Sequence, residues 1–297
     1  MKTTLKAIFA ATTALAAIAI VAPATYAAEP APADTEEAQT EDARLSAFFE
    51  EVFQRNLKDS PLFQSQLGMK GPDYGKWDDF SDAEAVRQNE ETKGDLARLR
   101  ADFDYDKLSE PMQVSYRIFE FLQERSIRNF PWRFHGYAFS TQSNPVAFPV
   151  TFLQNVHRVD DVSDAEAYIS RINGLETAMN QFMEGIDIAA GKGIVPTSFS
   201  FDPVITDARN IIKGAPFDDS GEDAALYADF KKKVEALDIS AAEKQRLIGE
   251  ATDALNGPFK SSVEKFIAKV ESLRSKSIGE KGVWALPGGK DFYKTQI

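Results

Sequence analysis

The sequence predicts an all-α protein of roughly seven or eight helices. Three observations predict it. Apolar residues recur at the i, i+3, i+4, i+7 spacing through most of the chain after residue 43, the period of a helix with one buried face. Helix-start signatures stand before these runs: Ser81 with Glu84, Ser163 with Glu166, Ser240 with Glu243, and Ser109 with Pro111 in the first turn. Alternating strand-like patterns are nearly missing.

The first 27 residues read as a secretory signal rather than part of the fold. Lys2 and Lys6 form a basic start, Ala7 to Ala22 is apolar, Pro23 breaks the run, and Thr25-Tyr26-Ala27 offers a cleavage site after Ala27. The apolar run is short of the roughly 20 residues that span a bilayer. No later segment is apolar enough to cross one, so no stable membrane span is expected after cleavage. The expected compartment is the periplasm or the cell exterior. Residues 28–42, AEPAPADTEEAQTED, hold six acids, two prolines and no basic residue, and read as a disordered acidic linker.

The helical domain covers 43–297. Leu45, Phe48, Phe49, Val52, Phe53 and Leu57 mark one face of the first helix. A Gly/Pro/Asp-rich loop follows near Gly68–Trp77. A polar helix then runs from Ser81 towards Leu99, and another from Ser109 through Ile118, Phe119, Leu122 and Ile127. Residues 129–157 form a long aromatic loop ending in a short helix, with Phe130, Trp132, Phe134, His135, Tyr137, Phe139, Phe148, Phe152 and His157. Its rings either fill seams between helices or line a substrate cleft. Ser163 opens a helix that stops near Gly191 and Gly193. Asp202-Pro203 opens a short helix ending at Gly214, and 222–237 is helical. Ser240 opens a long helix, with a kink at Gly257-Pro258, that runs to Leu273.

Composition narrows the chemistry. The net charge of −12 argues against a nucleic-acid partner, which needs a Lys/Arg surplus on one face, and against anionic lipid. There is no cysteine, which removes disulfides, thiolate zinc sites, cysteine nucleophiles and a lipoprotein-type lipid anchor. The two histidines are His135, followed by Gly136, and His157, followed by Arg158, so the HExxH zinc motif is absent. GxSxG is absent too. Gly288-Gly289-Lys290 fails as a phosphate loop because Trp284 stands where a glycine is needed and Asp291 where Ser or Thr is needed. Asp102, Asp104 and Asp106 fail as a calcium loop, with Lys107 and Gln113 at the glycine and glutamate positions.

Three blocks carry a resemblance. The first is Phe48-Phe49-Glu50-Glu51-Val52-Phe53 with Asp59-Ser60-Pro61 and Gln66-Leu67-Gly68. The second is Asn155-Val156-His157-Arg158-Val159 with Asp164-Ala165-Glu166-Ala167-Tyr168 and Gly191-Lys192-Gly193-Ile194-Val195-Pro196. The third is Gly282-Val283-Trp284-Ala285-Leu286-Pro287-Gly288-Gly289 with Phe292-Tyr293. In this order and spacing the chain resembles the N-terminal half of the bacterial exported family "domain of unknown function 885" (DUF885). The resemblance implies an all-helical, zinc-metallopeptidase-like hydrolase whose HEAIPGHH motif lies downstream of GVWALPGG, in a second half. The chain reaches Ile297 before that motif. It is therefore expected to hold no cofactor, to be inactive alone, and to meet zinc only with the C-terminal half. The resemblance places Trp284, Leu286, Pro287, Gly288 and Gly289 in the cleft region, as contacts for a peptide-like substrate; His135 and Tyr137 join them from the aromatic loop. A non-catalytic exported binding protein is the other reading. The faces of 163–191 and 240–273 would pack partly on the second half. An open multi-helix half-shell with exposed apolar area, self-association and residues 282–293 extended or loosely packed at its edge is thus expected.

Overall fold

The computed structural model describes residues 40–297, and the signal and linker readings at 1–39 lie outside the described residues. The described residues are helical, with no strand among them; two isolated bridges, Ser140 to Ser143 and Ala215 to Asp223, close turns.

The first helices share a hydrophobic cluster of their own. Helix α1 (Glu41–Lys58) begins where Thr40 Oγ1 accepts from Ala43 N at 3.2 Å. Helix α2 (Pro61–Gln66) starts on Ser60 with proline in its first turn. Helix α3 (Asp82–Asp102) is capped by Ser81, whose Oγ accepts from Glu84 N at 3.2 Å, as predicted. Helix α4 (Glu110–Asn129) follows Ser109, whose backbone N–H donates to Asp42 Oδ1 at 2.9 Å and ties the start of α4 to the start of α1. Leu45, Phe48, Val52, Leu99, Leu108 and Tyr116 form the core between α1, α3 and α4. Truncating a fully buried leucine such as Leu99 costs about 2–5 kcal/mol at sites of this kind.

The larger body is built on α6. Helix α5 (Ala147–Asn155) is the short helix expected after the aromatic loop. Helix α6 (Val162–Gly191) starts two residues earlier than the Ser163 signature implied. Asp161 is the cap, its Oδ1 accepting from Asp164 N at 2.9 Å, aspartate being as good a cap as serine. Helices α7 (Phe201–Ile211), α8 (Ala225–Glu235), α9 (Ala241–Ala254) and α10 (Lys260–Leu273) surround it. Between α9 and α10 the residues Leu255–Phe259 form a π-turn. Gly257 leaves helical torsions (φ −91°, ψ −105°) just before Pro258, which is the kink the sequence places there. Helix α11 (Gly289–Gln296) is the last element.

Two expectations are corrected. Short α2 and α11 were not anticipated as helices, and 282–293 is not extended: it folds as a 3-10 turn, Val283–Ala285, and most of α11. The apolar faces of α6 and α10 are covered. Ile172, Val263, Phe266 and Val270 are fully buried in one core with α7 to α9. Of these helices' large apolar side chains only Phe182 is exposed among the described residues; others exposed include Ile118 and Phe121 on α4 and Trp284, Tyr293 and Ile297 near the last helix.

Candidate functional site

The aromatic loop and the last segment meet, and two buried side-chain atoms of the loop, His135 Nδ1 and the Tyr137 hydroxyl, have no hydrogen-bond partner among the described residues. A 3-10 turn, Phe130–Trp132, carries the chain out of α4. Arg133 then fixes the loop to the first turn of α3. Its Nε and Nη2 donate to the two carboxylate oxygens of Asp82 at 2.6 and 3.1 Å, and its guanidinium lies over the Phe130 and Phe134 rings at 4.2 and 4.6 Å. The Arg133 hydrogen bonds hold the Asp82 carboxyl below the usual carboxylate range.

His135 reaches across to the other segment. Its Nε2 lies 3.1 Å from Pro287 O. A carbonyl only accepts, so Nε2 carries the hydrogen of this bond. Nδ1 of the same ring is buried and has no hydrogen-bond partner among the described residues. The Trp132 ring stands edge-on to His135 at 4.7 Å, and Phe292 of α11 closes on His135 at 5.4 Å and Trp132 at 6.2 Å. The Tyr137 hydroxyl is likewise buried and unpartnered, and burial pushes its pKa up. Two such groups near one junction call for an explanation, because most buried polar atoms are paired.

Glycine makes the approach feasible. Gly288 has φ +66°, and a Cβ there would lie 3.1 Å from Trp132 Cζ3. A Cβ on Gly289 would fall 1.8 Å from Val283 O, so no side chain fits at the start of α11. Leu286 is buried with Ala189 and Ile194, and Phe134, Tyr137, Ile278 and Val283 pack against them. Pro287 rests on Gly193 of the GKGIVP block, where an added Cβ would sit 3.2 Å from the ring.

The structure thus gathers six of the seven residues singled out from the sequence: His135, Tyr137, Leu286, Pro287, Gly288 and Gly289. Trp284 belongs to the same segment, but its ring is 64% exposed and stands outside the junction. Trp132, Phe292, Gly193 and the Arg133–Asp82 pair were not assigned to it. Trp132 and Phe292 stood in the aromatic loop and the last motif, so their type was visible but their contact was not.

His157 takes no part. It is 1% exposed, its Nε2 donates to Asp164 O at 3.0 Å, and its Nδ1 accepts from Arg171 Nη1 at 2.9 Å. Burial first, with Arg171 nearby adding to it, lowers its pKa to about 3, so it is neutral. With both ring nitrogens engaged, His157 does not fit a zinc ligand. His135 has one bare nitrogen but no second ligand beside it. Among the described residues no group of three His, Cys, Asp or Glu side chains is placed to hold a metal ion. The residues present do not fit catalytic zinc, which needs three protein ligands.

All-helical architecture, the aromatic loop and the GVWALPGG segment define the class. The chain belongs to the family described as bacterial protein of unknown function (DUF885), whose model matches residues 61–297. Among solved structures it is similar to the putative lipoprotein from Colwellia psychrerythraea. The identity is 16% and the TM-score 0.72, over 86% of this chain and 45% of that one, so the likeness is one of fold. The chain spans less than half the length of that relative. A comparison with curated proteins gives no match.

Proposed function

We propose that this chain is the substrate-contacting half of an exported, peptidase-type enzyme of the DUF885 family, and that it carries no catalytic centre of its own. One observation carries the reading: the junction of 130–139 with 282–292, where His135 Nδ1 and the Tyr137 hydroxyl sit buried without partners and the same segment carries the exposed Trp284. When the junction opens to admit it, a peptide backbone offers N–H and C=O groups that match both atoms, and Trp284 and Tyr293 offer apolar faces to its side chains. The residue pattern supplies the peptidase class through its family resemblance. The basic start and the Thr25-Tyr26-Ala27 site support export, with a mature N-terminus at Ala28.

The fluorescence of Trp284 tests this. Short unlabelled peptides are expected to shift its emission saturably, Trp284→Phe to remove that signal, and Tyr137→Phe to weaken the affinity. No peptide should be cleaved by the chain alone. Absence of any peptide effect, or peptide hydrolysis with one bound zinc that is lost in His135→Ala, would overturn the reading.

A further inference from the structure

The outer face of α4 carries Val114, Ile118 and Phe121, all 44% or more exposed, and the exposed arginines Arg117, Arg125 and Arg128. The spacing 114, 118, 121, 125, 128 is a single stripe along the helix. The helix has three glutamates and three arginines, but they are segregated. Glu120 accepts from Arg100 Nε of α3 at 2.8 Å, Glu124 contacts Arg100 Nη2, and Glu110 lies in the first turn. Among the described residues none of Arg117, Arg125 and Arg128 forms an ion pair. A protein of net charge −12 thus presents one helix face with apolar groups and three cations unpaired among the described residues, while Glu120 and Glu124 turn to the single charge of Arg100.

The stripe leads to the candidate site. The arginine end of α4 runs directly into the Phe130–Trp132 turn, and Trp132 lies 6.2 Å from Phe292. On the site's own elements Lys192 lies 5.8 Å over Phe134, and Lys290 is exposed in the first turn of α11. Arg125 and Arg128 thus stand at the end of α4 from which the chain enters the junction. Three half-exposed apolar side chains are too little for a stable dimer, which needs about 800 Å² per partner. They suit the side chains of an extended polypeptide instead.

We propose that this stripe is a substrate track: it takes acidic polypeptides with interspersed apolar residues and leads them into the junction of 130–139 and 282–292. The proposal rests on the peptide-binding reading above and adds the substrate class. Carboxylates of the bound chain meet Arg117, Arg125 and Arg128, and its apolar side chains pack on Ile118 and Phe121.

The test uses the full chain and two labelled peptides, one alternating glutamate with leucine and phenylalanine, the other with lysine in place of glutamate. Fluorescence anisotropy is expected to show binding of the acidic peptide only, weakening as salt rises. Arg125→Gln with Arg128→Gln is expected to weaken it about tenfold, the scale of losing two exposed charge contacts with their steering. Phe121→Ser should weaken it without altering the circular dichroism spectrum. Equal binding of both peptides, unaffected by the α4 variants but lost in Trp284→Ala, overturns the track and leaves the junction as a binding site. No binding of either peptide, with Trp284 emission unchanged, overturns both. Mass measurements showing a dimer that depends on Phe121, or capture of the chain by phosphatidylglycerol vesicles through the α4 arginines, overturns the track by giving the stripe another occupant.

Discussion

Arg171 is a buried guanidinium whose hydrogen-bond partners are all neutral. It donates to Lys76 O, His157 Nδ1, Pro61 O and Ser65 Oγ, beneath the rings of Tyr74, Trp77 and Phe152. The knot joins α2 and the 67–80 loop to α6. Tyr74 extends it, its hydroxyl donating to Arg158 O at 2.9 Å and accepting from Arg158 N at 2.7 Å. Burial lowers the Arg171 pKa to about 10, so it stays charged at neutral pH. His157 must stay neutral to accept from it, which gives a pH prediction. The unfolded chain protonates His157 near 6.5 and the native state only near 3. Between those values the unfolded state holds one more proton, so this contribution is complete above pH 6.5 and lost as pH falls towards 3. In His157→Gln, the unfolding free energy between about pH 4 and 6 should change less steeply by about 1.4 kcal/mol per pH unit. At neutral pH the variant should be about 1–3 kcal/mol less stable, because the pairing with Arg171 is disturbed. An unchanged slope in urea titrations across that range would contradict a neutral native His157. From sequence the histidine is legible only as a probable structural residue by type; its partners Arg171 and Tyr74 come from other elements.

Elements with a sequence signature were legible, and those without were not. Ser81 and Ser240 cap α3 and α9 as their spacing implies, and Gly257-Pro258 kinks the α9–α10 rod. Helix α2 has six residues, too few to show a periodic face. Helix α11 opens on Gly288-Gly289, a pair that reads as a turn, and its docking depends on contacts made 152 positions away at His135. Gly289→Ala tests that docking. The new methyl cannot share space with Val283 O, so α11 must move off the 3-10 turn. Amides of 286–296 should exchange much faster while the global melting temperature changes little, because Phe266, Val263 and the rest of the main core are untouched. Unaltered exchange in this segment would show that the junction tolerates what its geometry forbids.

At the scale of the whole molecule, the all-helical fold followed from periodicity, and the candidate site was legible as separate motifs. Its assembly was not, because no local rule says that an aromatic loop after α4 meets a glycine-rich segment after α10. Surface exposure was also misplaced by sequence reasoning. Amphipathic width marked α6 and α10 as incomplete, yet most of their apolar residues bury one another, and the exposed apolar residues are scattered, with Leu67, Phe121, Phe199 and Trp284 among them. A hydrophobic dye should therefore bind weakly, and Phe121→Ser with Trp284→Ser should lower its signal; undiminished dye fluorescence in that variant would point to exposed core instead.

The central claim is that peptide recognition is confined to the junction of 130–139 with 282–292 and its approach along α4. Hydrogen–deuterium exchange of the full chain, with and without saturating acidic peptide, tests it most directly. The account predicts slowed exchange in 130–139 and 282–296, a smaller effect at the arginine end of α4, and none in α7 to α10. Protection centred on α7 to α10, or none anywhere while peptide is demonstrably bound, would contradict it.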